Sequence, residues 1–312
     1  MNKSGQIYLD GKDAEYLTNK LVSNNVTRLT DNQAQYAMIT DDNGIILDDT
    51  LVYRNSSESF MFIPNAGHDE EMFLRWAHFR DKWDLDVTIK NSTNEIAMFA
   101  IQGPLAVDSI DALSPDSLSD LKRFTTTITT ISGITCTVSR TGYTGEDGFE
   151  LLLSSNDAVT LWDALDFPPC GLGSRDTLRT EMGFLLSGQD FNDQTNPRTP
   201  FEAGVDFTVD LEQDFIGRDA LLELNSQEPN LNFIGFSLSE RSIPRPGSAI
   251  LNDVGDQIGV VTSGTLSPTL DLPIGLGYVP LSHSSVGSSI QIAIRNSFKP
   301  ATICSTPFIN PQ

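Results

Sequence analysis

Three short runs of this 312-residue chain hold residue types that could do chemistry. The first is a pair of extended stretches, 35–40 and 45–54, around Asp41-Asp42-Asn43-Gly44. Asn-Gly between extended stretches predicts a β-hairpin. A two-residue Asn43-Gly44 loop sets Tyr36 opposite Leu51, and a four-residue loop sets it opposite Asp49. Either even-length loop puts Tyr36, Asp49, Leu51 and Tyr53 on one face, because side chains alternate along a strand. An odd-length loop would break that arrangement. A carboxylate flanked by two tyrosines can hold a flat heterocycle and accept a proton from it. The same spacing also suits a solvated face on which Asp49 is an ordinary surface acid.

The second run is Arg140-Thr-Gly-Tyr-Thr-Gly-Glu-Asp-Gly148, followed by Phe149-Glu150. Its glycines allow close backbone approach. It lacks the ending of a phosphate loop and precedes a strand rather than a helix. It reads as a tight connection, or as a loop that shapes a site. Glu150 enters an apolar strand and needs a partner there. The third run is Gly173-Ser-Arg-Asp-Thr-Leu-Arg-Thr-Glu181. Positions 175, 178, 182 and 185 share a helical face, and three of them are Leu178, Met182 and Leu185. That predicts Arg175 on the apolar side near the helix start, where a cation opposes the helix dipole. It therefore calls for an anion such as Glu150 or a ligand carboxylate, or for a structural Arg–Glu pair.

The elements that must position these residues follow from periodicity. Asp13 is placed to cap a helix carrying Ala14, Leu17 and Leu21. An amphipathic helix over 69–83 carries Met72, Phe73, Trp76 and Phe79. Strands are expected at 95–101 and 149–153 and within 124–140, and helices at 156–165 and 174–186. After a boundary near 222–231 the chain becomes short β-like runs between Gly, Pro and Ser, as in a small barrel or sandwich.

Composition narrows the function classes. Lys and Arg number 20 against 42 Asp and Glu, a net charge of −22. That excess argues against a general nucleic-acid binder and disfavours anionic lipid. It suits either a saline environment or simply an acidic soluble enzyme. The three cysteines and three histidines have no metal-ligand spacing, so no metal is expected. No apolar run is long enough for a membrane span, and the first residues lack a secretory signal, so a cytoplasmic protein is expected.

Taken in order, the runs GIILDDTLVYR (44–54), PNAG (64–67), AIQGP (100–104), RTGYTGEDGFE (140–150), SRDTLRTEMG (174–183), DFIGRDAL (214–221), IGVVTSG (258–264), SPTL (267–270) and IGLGYVP (274–280) resemble the T protein of the glycine cleavage system, the folate-dependent aminomethyltransferase family. The resemblance spans nearly the whole chain. It implies an α+β fold, with two intertwined α+β folate-binding parts and a C-terminal Greek-key β-barrel in a cloverleaf-like arrangement. Divided accordingly, residues 1–222 form the folate-binding region and 223–312 the barrel. The family's catalytic aspartate falls on Asp49, its pterin-side tyrosines on Tyr36 and Tyr53, its asparagine on Asn65, its buried folate-binding glutamate on Glu150, and its helix arginine on Arg175. A family tryptophan aligns with Phe207, which keeps the aromatic face and loses the indole N–H.

The resemblance implies transfer of a methylene carbon from the aminomethyl-dihydrolipoyl arm of the H protein to tetrahydrofolate as co-substrate, with release of ammonia. It implies a monomer whose partner is the lipoylated H protein, with no nucleic acid, membrane or metal. Arg75, Arg80 and Lys82 are a candidate cationic group for docking an acidic partner. Family members usually begin further upstream, and of that stretch only Met1 is matched here. Some also continue to a folate-side tyrosine beyond Asn310. Two other readings keep the fold: a folate-dependent demethylase of a small methylated substrate, and a non-catalytic folate-binding protein of the branch linked to iron–sulfur maintenance. That branch carries a Cys-containing motif that Asp214-Phe-Ile-Gly217 lacks.

Overall fold

The computed structural model describes residues 4–310; Met1 lies outside the described residues. The chain packs as two compact units that interleave along the sequence. The first comprises 1–142, 146–168 and 207–218; the second comprises 143–145, 169–206 and 219–312.

The first unit contains two antiparallel sheets. Strands β1 (Ile7–Asp10), β2 (Gln33–Thr40), β3 (Ile46–Ser56), β4 (Ser59–Ile63) and β5 (Thr88–Asn91) form one, in the order β2-β3-β4-β1-β5. Strands β6 (Ile96–Gln102), β7 (Thr126–Ile131), β8 (Ile134–Ser139) and β9 (Gly148–Ser154) form the other, in the order β6-β9-β8-β7. Helices α1 (Ala14–Leu21) and α2 (Asp69–Lys82) cover one face of the first sheet. There Trp76, Phe60, Phe62, Leu17 and Val52 are fully buried, each of the Phe and Leu side chains contributing about 1.5–3 kcal/mol. Asp13 does not cap α1 with its side chain. Its carboxylate instead accepts from the Asp86 N–H at 2.9 Å. Short helices α3 (Ala106–Asp111) and α4 (Ala158–Ala164) lie along the second sheet, whose outer core includes Phe149, Leu151, Val138, Ile110 and Leu161.

The inner faces of the two sheets meet in a smaller cluster of Ala34, Tyr53, Met61, Ile63 and Leu152, with Tyr8, Leu51, Ile96 and Met98 around it. Period-two alternation sorts the residues of β3: Val52 goes to the helix side, while Asp49, Leu51 and Tyr53 go to the inter-sheet side. The same rule places Glu150 with Leu152 on the inter-sheet side of β9, opposite in direction to Phe149 and Leu151.

The second unit holds helix α5 (Leu172–Glu181), most of α6 (Arg218–Leu224), and strands β10 (Leu231–Leu238), β11 (Ala249–Leu251), β12 (Gln257–Ser267), β13 (Leu272–Pro280), β14 (Ser289–Ile294) and β15 (Ser297–Cys304). These strands close an antiparallel barrel in the order β10-β13-β12-β11-β14-β15. The run β14-β11-β12-β13 is a Greek key, since β14 returns to lie beside the first strand of a three-strand meander. The barrel interior is Ile234, Phe236, Leu238, Ile250, Val261, Val279, Ile290, Ile292, Ala301 and Ile303. Among the described residues no helix is long and apolar enough to cross a membrane. Of the proposed docking cations, Arg75 is turned onto the Thr40 carbonyl at 2.9 Å, and Arg80 pairs with Asp81.

Candidate active site

The hairpin that carries Asp49 is built differently from either even-length loop. The Asp41 N–H donates to the Ile45 carbonyl at 2.9 Å, closing a three-residue loop of Asp42, Asn43 and Gly44. An odd loop would set Tyr36 out of phase. The register is restored by a bulge: Thr40 pairs with Ile46, but Ile39 pairs with Asp48, leaving Leu47 as the extra residue. Beyond it Met38 faces Asp49, Tyr36 faces Leu51 and Ala34 faces Tyr53. The expected face therefore forms, by loop and bulge together.

Asp49 is 7% exposed. The Tyr36 hydroxyl donates to its Oδ2 at 2.5 Å, and Asn65 Nδ2 reaches its Oδ1 at 2.5 Å and its backbone carbonyl at 3.0 Å. Asn65 also binds Asp48 through its backbone N–H at 3.0 Å and through Nδ2 at 2.8 Å. Burial, then the neighbouring Asp48 charge, push the Asp49 carboxyl up to about 7, against the lowering effect of Tyr36 and Asn65. A carboxyl with its proton half off near neutrality is suited to take up a proton in a reaction. Phe207, 72% exposed, stacks near Tyr36 with ring centroids 6.5 Å apart.

Further along the same face, Tyr53 is buried against the second sheet. Its hydroxyl lies 3.2 Å from Thr141 Oγ1 and accepts from Ser139 Oγ at 3.3 Å. Thr141 donates to Glu150 Oε2 at 2.5 Å. Burial and the Glu150 charge raise the Tyr53 phenol far above its ordinary range, so it stays a neutral hydroxyl. The RTGYTGEDG run begins and ends in tight anchors. Arg140 grips Asp147 with two N–H groups, at 3.0 and 2.6 Å, and this pairing holds the Asp147 carboxyl below its usual range. A Cβ on Gly148 would sit 2.2 Å from the Ile101 carbonyl oxygen, so only glycine lets β9 start against β6 there.

Arg175 belongs to the second unit. It is exposed, with its guanidinium 4.4 Å from the centroid of the Tyr143 ring. The expected apolar face is thus corrected: the buried residues of α5 are Arg179, Thr180 and Glu181. The helix ends at Glu181, so the stripe that grouped Arg175 with Met182 and Leu185 runs past its end. Arg179 is fully buried. It donates to Asp190 at 2.7 Å, to Asp176 at 2.8 and 2.6 Å, and to Ser263 at 2.7 Å. Sequence reasoning missed this arginine, and it also missed Asp48 and His68. The signal for the latter two was their adjacency to Asp49 and to the PNAG run.

Comparison with known proteins decides the family. Residues 1–213 match the GCVT N-terminal domain, and residues 232–310 match the glycine cleavage T-protein C-terminal barrel domain. The chain belongs to the aminomethyltransferase family of glycine cleavage T proteins. It is 50% identical over 311 residues to a "Probable aminomethyltransferase" of Halobacterium salinarum, covering 98% of this chain and 85% of that one. It is 40% identical over 313 residues to an aminomethyltransferase of Halothermothrix orenii, covering 98% and 86%. The glycine cleavage system aminomethyltransferase T from Bartonella henselae superimposes with a TM-score of 0.91 at 26% identity, over 99% of this chain and 85% of that one. The chain is accordingly a transferase of this family, and the demethylase and non-catalytic readings gain no support.

The family is folate-dependent, and the residues of the first unit suit that group. A buried carboxylate acceptor, Glu150, matches the N–H edge of an aminopyrimidine. The rings of Tyr36 and Phe207 offer flat apolar faces beside Asp49.

Proposed function

We propose that this aminomethyltransferase moves the methylene carbon of an S-aminomethyl-dihydrolipoyl group, presented by a lipoylated H protein, to tetrahydrofolate with release of ammonia. Tetrahydrofolate, when bound, would supply two amine nitrogens for the carbon: ammonia leaves as the first C–N bond forms, and the dihydrolipoyl thiol leaves as the second closes the methylene bridge. Asp49 takes the proton that one of these nitrogens gives up as it bonds to the carbon. Tyr36 and Asn65 hold one oxygen each of its carboxylate, so the accepting lone pairs keep one direction. Glu150, fixed by Thr141 beside Tyr53, accepts from the N–H edge of the ring. Phe207 covers a ring face.

The observation that carries this reading is the placement of Asp49: a nearly buried carboxyl, held by a tyrosine and an asparagine, with its proton poised at about pH 7. General-base assistance of this kind is worth about 10²–10⁴ in rate. Asp49→Asn is isosteric and can keep both contacts, with Tyr36 now accepting. Single-turnover assays with aminomethylated H protein should show turnover falling by about 10²–10⁴, while tetrahydrofolate affinity by calorimetry stays within a few-fold. Unchanged turnover would overturn the role given to Asp49.

A further inference from the structure

The Asn65–His68 turn does more than present Asn65. Its His68 N–H donates to the Asn65 carbonyl at 3.0 Å, and Gly67 takes φ +90 at the third turn position. This geometry brings two side chains onto the same carboxylate. Asn65 Nδ2 lies 2.8 Å from Asp48 Oδ1, and His68 Nδ1 lies 3.1 Å from that same oxygen. Asp48 is wholly buried, and the His68 side chain is 29% exposed. The result is a continuous line of groups: His68, Asp48, Asn65, Asp49, Tyr36. Two adjacent buried carboxylates are costly together, because each charge opposes the other. His68 is the titratable cation that reaches this pair.

We propose that His68 is a positioning residue for the transfer reaction: its imidazolium, seated on Asp48, offsets the first carboxylate and thereby lets Asp49 ionise beside it. This rests on the reading of Asp49 as the proton acceptor. The charged groups facing His68 are Asp48, Glu71 and Asp49, all acidic; the Asp48 contact leads them in holding its proton above the ordinary histidine range against burial. Asp49 is faced by the Asp48 charge, by the Tyr36 and Asn65 hydrogen-bond donors, and by His68. Arg75, on the same helix as Glu71, is directed to the Thr40 carbonyl and faces Asp41, Asp42 and Glu71. When His68 is neutral, Asp48 stands uncompensated and Asp49 holds its proton to higher pH. The carboxylate form that accepts the proton is then scarcer in the neutral range.

The test is the pH profile of kcat/KM in His68→Asn, which keeps a donor where Nδ1 stands but cannot become a cation. The acidic limb should move upward by about one pH unit. Activity should therefore fall about tenfold on the acid side and approach the parent value on the alkaline side, with tetrahydrofolate affinity and melting temperature little changed. Asp48→Asn should move the limb the opposite way, and adding His68→Asn to it should move it no further. A limb in the same place in His68→Asn and the parent enzyme overturns the proposal, even if Asp48→Asn fails to fold. If the limb instead survives in the residual activity of Asp49→Asn, it is the Asp49 reading that fails.

Discussion

Both units bury charge, and they treat it in opposite ways. In the second unit Arg179 and Asp190 are both inaccessible, and almost every polar atom of the pair is matched. Asp190 Oδ2 accepts from Arg179 at 2.7 Å and from the Leu186 N–H at 2.8 Å, while Oδ1 accepts from Ser263 at 2.7 Å. Burial works against the arginine's proton, but Asp190, Tyr143 and Asp176 outweigh it and hold the guanidinium above its ordinary value. In the first unit Asp48 and Asp49 lie side by side with a part-exposed histidine as counter-charge, and one carboxyl is pushed up to about 7. A well-compensated buried pair locks α5 to the barrel strand β12. An under-compensated one stores a proton that can be exchanged with a substrate. Incomplete compensation, not burial alone, is what makes Asp49 a candidate for proton transfer.

That contrast can be broken at its strongest point first. Asp190→Ala removes the partner of a buried arginine, and urea unfolding should show a loss of about 3–5 kcal/mol. A loss below about 1 kcal/mol would mean that the network is ornamental and the contrast is false. Next comes Asp49→Asn, expected to act in the reverse direction. The folded carboxyl titrates at about 7 against 3.8 for the ordinary group, so the folded state holds a proton that the unfolded state has lost. Stability of the parent protein therefore falls as pH rises from about 4 to about 7. The variant escapes this, and its advantage should grow through that window to the order of 2–4 kcal/mol. Parallel stability curves for the two proteins would argue against the elevated carboxyl. The smallest effect is expected of Tyr36→Phe. Its hydroxyl stabilises the Asp49 carboxylate, so the acidic limb of activity should rise by roughly half to one pH unit, the loss of one charge-assisted hydrogen bond.

The sequence showed the α+β character and the barrel because both rest on local periodicity and punctuation. Its helix over 69–83 is α2, with Met72, Trp76 and Phe79 buried as the spacing requires. The facing of Tyr36, Asp49 and Tyr53 was legible too, although the loop behind it was not. The bulge at Leu47 leaves no mark in an alternation pattern, because it restores the phase that the odd loop disturbs. Strand β4, Ser59–Ile63, has no clear alternation and is buried over its last four residues. The α5 error is the most instructive. Pattern reading equates the apolar side with the inside, yet α5 buries Arg179 and Glu181, whose partners Ser263, Ser267 and Thr269 come from more than eighty residues later. Long-range satisfaction of a polar face cannot be seen within a helix-length window.

The interleaving of the two units bears on the order in which the chain can mature at the ribosome. The closing segment of the first unit, 207–218, is stitched to its beginning: Ser23 donates to the Thr208 carbonyl at 2.8 Å, the Asp210 N–H to the Ser23 carbonyl at 2.9 Å, and the Ile216 N–H to the Lys20 carbonyl at 3.1 Å. Helix α1 therefore waits for partners made nearly two hundred residues after it, about 10–40 s at ordinary rates of synthesis. Meanwhile residues 169–206, which belong to the barrel unit, have emerged without their strands. Neither unit can finish as a nascent domain before the other has begun, and since the Thr40 hydroxyl donates to the Ile216 carbonyl at 2.6 Å, a stalled or split chain will expose the end of α1 and the Asp41–Gly44 hairpin loop together.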